Sequence, residues 1–117
     1  MRGHRYFGEL GENYALKLIT EYGYKLLQKN FHSRFGEIDI IAIDRDTLVF
    51  VEVKTRWSKK FGAPEEAVTP QKLRKIKKVG EYYSLTHPLL PKKLGIDVVA
   101  IEVEKGSVTS AKIIKVF

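Results

Sequence analysis

Asp39, Glu52 and Lys54 are the residue types that hydrolyse phosphodiesters when they share one pocket, and a single β-hairpin would bring them together. The stretch Glu37-Ile-Asp-Ile-Ile-Ala-Ile-Asp44 is separated by Arg45-Asp46 from Thr47-Leu-Val-Phe-Val-Glu-Val-Lys54. Both flanks are rich in β-branched residues, and the polar junction reads as a turn. Pairing Asp44 with Thr47 sets Asp39 opposite Glu52 and Glu37 opposite Lys54. The other face then pairs Ile38 with Val53, Ile40 with Val51 and Ala42 with Val49, all apolar. A slip of one residue would place Asp39 against Val51 and lose the match, so the pattern selects its own register.

Two carboxylates opposed across a strand pair lie ~5 Å apart, and like charges so placed are destabilising. A divalent cation between them removes the repulsion. Mg²⁺ and similar hard cations take oxygen ligands, commonly one or two carboxylates together with water and substrate phosphate. Such a cation acidifies water and stabilises charge on a phosphoryl oxygen. Lys54 lies two residues beyond Glu52, hence on the same strand face, where an ammonium can orient water or meet a phosphate. Its competing reading is a cross-strand pair with Glu37. For Asp39 and Glu52 the competing reading is a structural salt bridge, which the apolar surroundings make the weaker choice.

These residues must be positioned by a small frame. The chain has 117 residues, which favours one domain over residues 1–117. Cysteine is absent, which removes disulfides and Cys-ligated zinc or iron–sulfur centres. No apolar run approaches the ~18 residues of a membrane span, and the basic N-terminus leads into no signal-peptide core, so a cytoplasmic location is expected.

Periodicity orders the elements. Arg5 to Tyr22 reads as a helix with Phe7, Leu10, Tyr14, Ala15, Leu18, Ile19 and Tyr22 on one side, ended by Gly23. Glu12 falls at the edge of that apolar side and Glu9 well outside it. Tyr24 to Asn30 is a strand, and the hairpin adds two more. Thr69-Pro70 supplies an N-cap and first-turn proline for a helix running to about His87, with Leu73, Ile76, Val79, Gly80 and Tyr83 inward. Ile96–Glu104 and Ala111–Val116 are further strands, joined around Lys105-Gly106. Asp44 and Asp46 read as turn residues, His4, His32 and His87 as surface residues, and Asp97 as either structural or a supporting group.

Charge is concentrated. The net charge is +7, and the segment from Lys54 to Lys78 carries all of it: nine basic residues against Glu65 and Glu66. Clustered Lys and Arg are the electrostatic footprint of nucleic-acid binding. Arg56, Lys59, Lys60, Lys72, Arg74, Lys75 and Lys78 are the candidate contacts, with a solvated helix face as the bland alternative. Lys72 falls on the inner side of its helix and points toward the sheet. Trp57 could stack on a base or pack at the edge of the core.

Asp39 followed by Glu52-Val53-Lys54 resembles the nuclease signature PD-(D/E)xK of restriction endonucleases and archaeal Holliday-junction resolvases, with Ile38 in place of the proline. Gly11-Glu12, Ala15, Gly23-Tyr24, Asn30, the run Gly36–Ile41, the run Phe50–Arg56, Lys72 and the run Asp97–Val99 resemble, over nearly the whole chain, the YraN-like family of small bacterial proteins. The resemblance implies an α/β restriction-endonuclease-like three-layer sandwich, with a mixed central sheet flanked by helices in the order α-β-β-β-α-β-β. It further implies Mg²⁺ or Mn²⁺ held by Asp39, Glu52, the Val53 carbonyl and Glu12, with Asp39, Glu52 and Lys54 catalytic and Glu37 supporting. Junction-cutting relatives use paired sites, which implies a homodimer. The leading reading is a metal-dependent DNA endonuclease acting on branched or flapped structures. A non-catalytic nucleic-acid-binding accessory protein is the alternative from another class, and a phosphodiesterase acting on RNA or a small nucleotide is a third.

Overall fold

The computed structural model describes residues 4–56 and 68–117. In chain order the elements are α1 (His4–Glu21), β1 (Lys25–Ser33), β2 (Gly36–Asp44), β3 (Thr47–Arg56), α2 (Pro70–Thr86), β4 (Lys93–Glu104) and β5 (Ser107–Lys115). The strands form one sheet in the order β1-β2-β3-β4-β5. Only β3 and β4 run parallel, and α2 is the connection between them. All other neighbours are antiparallel. This is the order and layering expected from the sequence.

The central strands are buried on both sides, so they read as continuous apolar runs and not as an alternation. Leu48 to Val51 are each at most 1% exposed. One face carries Ile40, Ala42, Val49, Val51, Val99 and Ile101 and packs on Ala15 and Ile19 of α1. The opposite face carries Ile38, Ile41, Leu48, Phe50 and Ile96 and packs on Ile76, Val79 and Tyr83 of α2. The inner stripe predicted for α2 is the observed one. Of the residues expected on the inner side of this helix, Tyr14 is exposed and so is Tyr22, just past the end of α1, and Leu16 packs against the core instead. A helix lying on a sheet buries a narrower stripe than half its circumference.

Two glycines fix how closely the helices approach. A Cβ on Gly80 would lie 2.6 Å from the Phe50 ring, and one on Gly11 would lie 2.1 Å from Thr55 Oγ1. Either contact is far inside van der Waals range, so each helix sits on the sheet through a bare backbone position. Thr69 caps α2 as expected, its hydroxyl accepting from the Lys72 amide at 3.1 Å, with Pro70 opening the helix. Among the described residues, no helix is long and apolar enough to cross a membrane.

Candidate metal and nucleic-acid site

The hairpin register is the predicted one where the ladder is regular: Asp44 pairs with Thr47, Ala42 with Val49 and Ile40 with Val51. There the ladder stops. The next backbone donor on β3, the Val53 amide, is taken by the Asp39 side chain: Val53 N–H donates to Asp39 Oδ2 at 2.8 Å. Asp39 and Glu52 are therefore neighbours across a fork in the sheet and not a regular ladder pair. Across the other edge of β2 the pairing to β1 is also interrupted at this level. Phe31 pairs with Ile38 and Lys29 with Ile40, while Asn30, opposite Asp39, has a φ of 51°. That left-handed backbone favours Asn over bulkier residues.

The fork changes one expected face. The regular register groups Ile38 with Ile40 and Val53, but it lies in the α2 cluster, while Ile40 and Val53 lie on the α1 side. The regular two-residue alternation of β2 fails at Asp39, so Ile38 turns to the α2 side. Glu37 is the second correction. Its carboxylate meets His32 Nδ1 at 3.0 Å across β1 and β2, both side chains well exposed. Among the described residues its ion pair is therefore with His32 and not with Lys54.

Glu52 has a cation that hairpin geometry alone did not supply. Lys72 Nζ lies 3.1 Å from Glu52 Oε1, bringing the first turn of α2 onto β3. The expectation that Lys72 points inward holds, and its neighbours Arg74, Lys75, Lys77 and Lys78 are all exposed. Alternation along β3 puts Glu52 and Lys54 on this α2 side. Among the described residues Lys54 has no ion pair, so its structural competitor is absent. Glu12 comes from the other face: α1 lies against β3 through Gly11, and Glu12 is half-buried while Glu9 is exposed. Glu9, Glu12 and Asn13 of α1 face Lys29 and Asn30 of β1 across an open cavity of about 290 Å³.

The electrostatics of Asp39 record this crowding. Burial, then the Glu52 carboxylate and more weakly Glu12, push its pKa up to about 7, against the Val53 hydrogen bond and Lys72, which pull it down. A carboxyl raised by burial and by like charge lies where a bound cation would offset the crowding. Among the described residues, no three His, Asp or Glu side chains are grouped closely enough to hold a metal alone. Two carboxylates and a carbonyl are what Mg²⁺ commonly takes when water and phosphate complete its shell. The donor set present therefore fits a hard divalent cation.

Asp97 has the other role left open for it. It is 1% exposed and accepts from Tyr24 Oη at 2.5 Å and from Lys115 Nζ at 3.1 Å. Lys115 Nζ also meets Tyr24 Oη at 2.7 Å and Asp44 Oδ2 at 2.8 Å. Burial disfavours the Lys115 ammonium, yet these contacts outweigh it and its pKa is raised. Burial and the Asp97 hydrogen bond take Tyr24 up to about 12. Asp44 is thus a strand-end ion-pair partner as well as a turn residue. The partners lie as far as 91 positions apart, a separation no local pattern reveals. Arg56 ends β3, half-buried. Trp57, Lys59 and Lys60 lie outside the described residues.

The family model described as "Uncharacterised protein family UPF0102" matches residues 11–101. A UPF0102 protein of Syntrophomonas wolfei is 44% identical over 114 residues, covering 97% of this chain and 99% of the relative. One from Caldicellulosiruptor bescii is 48% identical over 110 residues, covering 92% of each. One from Syntrophus aciditrophicus is 47% identical over 97 residues, covering 83% of this chain and 76% of the relative.

Proposed function

We propose that this chain, which belongs to the uncharacterised protein family UPF0102, is a metal-dependent nuclease that hydrolyses DNA phosphodiester bonds. The observation that carries the reading is the Asp39 carboxyl, held at a fork in the sheet beside Glu52 and raised to about 7 by burial and by that neighbour. Asp39, Glu52 and the Val53 carbonyl would hold Mg²⁺ or Mn²⁺, with Glu12 reaching in from α1. A cation there would supply Lewis acidity, activating water and stabilising charge on the phosphoryl group.

The chain's own residues do the rest. The Val53 amide fixes the Asp39 carboxylate, so the group is pre-positioned before substrate arrives. Lys54, on the Glu52 face of β3, orients the attacking water or meets the developing negative charge. Arg74, Lys75 and Lys78 on the exposed face of α2, with Lys72 at its inner edge and Arg56 at the end of β3, track the phosphates; Lys59 and Lys60, outside the described residues, are further proposed contacts. Branched or flapped DNA is the proposed substrate class, and a homodimer the proposed assembly.

Purified protein with Mn²⁺ or Mg²⁺ is expected to cut branched or single-stranded DNA. Asp39→Ala is expected to lower cutting about a thousandfold while DNA binding, measured by fluorescence anisotropy, persists. Binding with no metal-stimulated cleavage across such substrates would establish the accessory reading, and cutting confined to an RNA panel the third.

A further inference from the structure

Glu52 and, more weakly, Glu12 act on the Asp39 carboxyl, and Lys72 answers them from α2. Lys72 Nζ sits 3.1 Å from Glu52 Oε1, and its charge also lowers the Asp39 pKa. The two acids are not equally provided for: Asp39 is met by the neutral Val53 amide, Glu52 by a full positive charge. Lys72 belongs neither to β2 nor to β3. Its backbone is held at the start of α2, where its amide donates to Thr69 Oγ1, while its side chain is 39% exposed against 14% for Glu52. A fixed base and a partly solvated, four-carbon stem describe an ammonium that can leave without disturbing the helix.

We infer that Lys72 is a built-in counter-ion, displaced from Glu52 when a divalent cation binds, and that the released ammonium then takes a phosphate oxygen of the DNA backbone. The inference rests on the metal-site reading above. An ammonium and a dication at contact distance from one carboxylate oxygen repel strongly, so Glu52 holds one or the other. Once displaced, Lys72 remains on α2 at the inner end of the exposed series Arg74, Lys75 and Lys78, where a nucleic-acid backbone following that helix would come within its reach. Lys54 needs no such exchange, since among the described residues it has no ion pair. The two lysines therefore do different work. Lys54 has no ion pair among the described residues, whereas Lys72 neutralises Glu52 in the metal-free protein and is handed to substrate only after the metal arrives. The exchange suppresses charge repulsion in the metal-free protein at the expense of some metal affinity.

The test needs no catalysis. Mn²⁺ is titrated by calorimetry into the full chain without DNA, for wild type, Lys72→Met and Lys72→Arg, and thermal denaturation is followed with and without Mn²⁺. Lys72→Met is expected to bind Mn²⁺ about tenfold more tightly, because the competing charge is gone. Its metal-free form should melt lower than wild type, with Mn²⁺ closing the gap. Lys72→Arg should keep wild-type metal-free stability. With Ca²⁺ in place of Mn²⁺, Lys72→Met should bind duplex DNA several-fold more weakly. Equal Mn²⁺ affinity in wild type and Lys72→Met overturns the exchange while leaving the metal site standing. Absence of Mn²⁺ binding in both overturns the exchange and the metal-site reading together. Should methionine prevent folding, Lys72→Gln is judged by the same outcomes.

Discussion

The sheet contains two aspartates set in apolar runs, and they are treated in opposite ways. Asp97, on β4, is almost fully buried and gathers a tyrosine hydroxyl and a lysine ammonium around itself, the same lysine binding Asp44 at the end of β2. Asp39, on β2, is given one backbone amide and then surrounded by further carboxylates. The first arrangement is closed: every charge has an opposite within hydrogen-bonding distance. The second is short of positive charge. A buried aspartate alone does not mark a site. What separates a structural acid from a chemical one is whether the surrounding charges already balance it.

That contrast can be broken most directly from the closed end. Asp97→Asn should cost about 2–3 kcal/mol in chemical denaturation, because Lys115 and Tyr24 lose the acceptor they converge on. Metal binding and cleavage per folded molecule should stay at wild-type levels. A variant that folds normally but no longer binds Mn²⁺ would erase the distinction between the two ends.

The open end should reveal itself through pH. In the folded chain Asp39 holds its proton up to about pH 7, whereas its ordinary value is 3.8. The folded state therefore binds more protons than the unfolded state between those values, so this group's contribution to stability declines as pH rises from about 4 to about 7. Metal-free protein followed by urea denaturation should show that decline, and Asp39→Asn should remove it. Persistence of the full slope in Asp39→Asn would assign the titration to another group.

The smallest effect belongs to the exposed face of α2. Lys75→Ala should leave stability within about 0.5 kcal/mol of wild type. It should also reduce by about one the slope of log affinity against log salt for DNA. An unchanged slope would leave that face merely solvated.

Much of the frame was legible in the sequence because its causes are local. The apolar alternation around Asp44 and Thr47 determined the register as far as Ile40 and Val51, and Thr69-Pro70 marked where α2 begins. The inner stripe of α2 followed from its spacing. The rest depended on events no short window contains. The ladder opens at Asp39, which carried Ile38 to the other face and sent Glu37 to His32. The Lys72–Glu52 pair spans two elements. Its lysine could be aimed at the sheet from helical phase, but its acceptor could not be named. Tyr24, Asp97 and Lys115 were each visible as residues, yet their convergence depends on β1, β4 and β5 meeting at one end of the sheet.

The cluster around Lys115 has a mechanical consequence. Lys115 belongs to β5, Asp97 to β4, Asp44 to β2, and Tyr24 immediately precedes β1, so one side chain laces together strands on both sides of β3. At the opposite end β2 and β3 part, and the Val53 amide reaches across to the Asp39 side chain. The sheet is thus fastened at one end and slit at the other. Opening the sheet at the slit therefore breaks the Asp39–Val53 hydrogen bond, whereas opening it at the fastened end must break the contacts of Lys115 with Tyr24, Asp44 and Asp97.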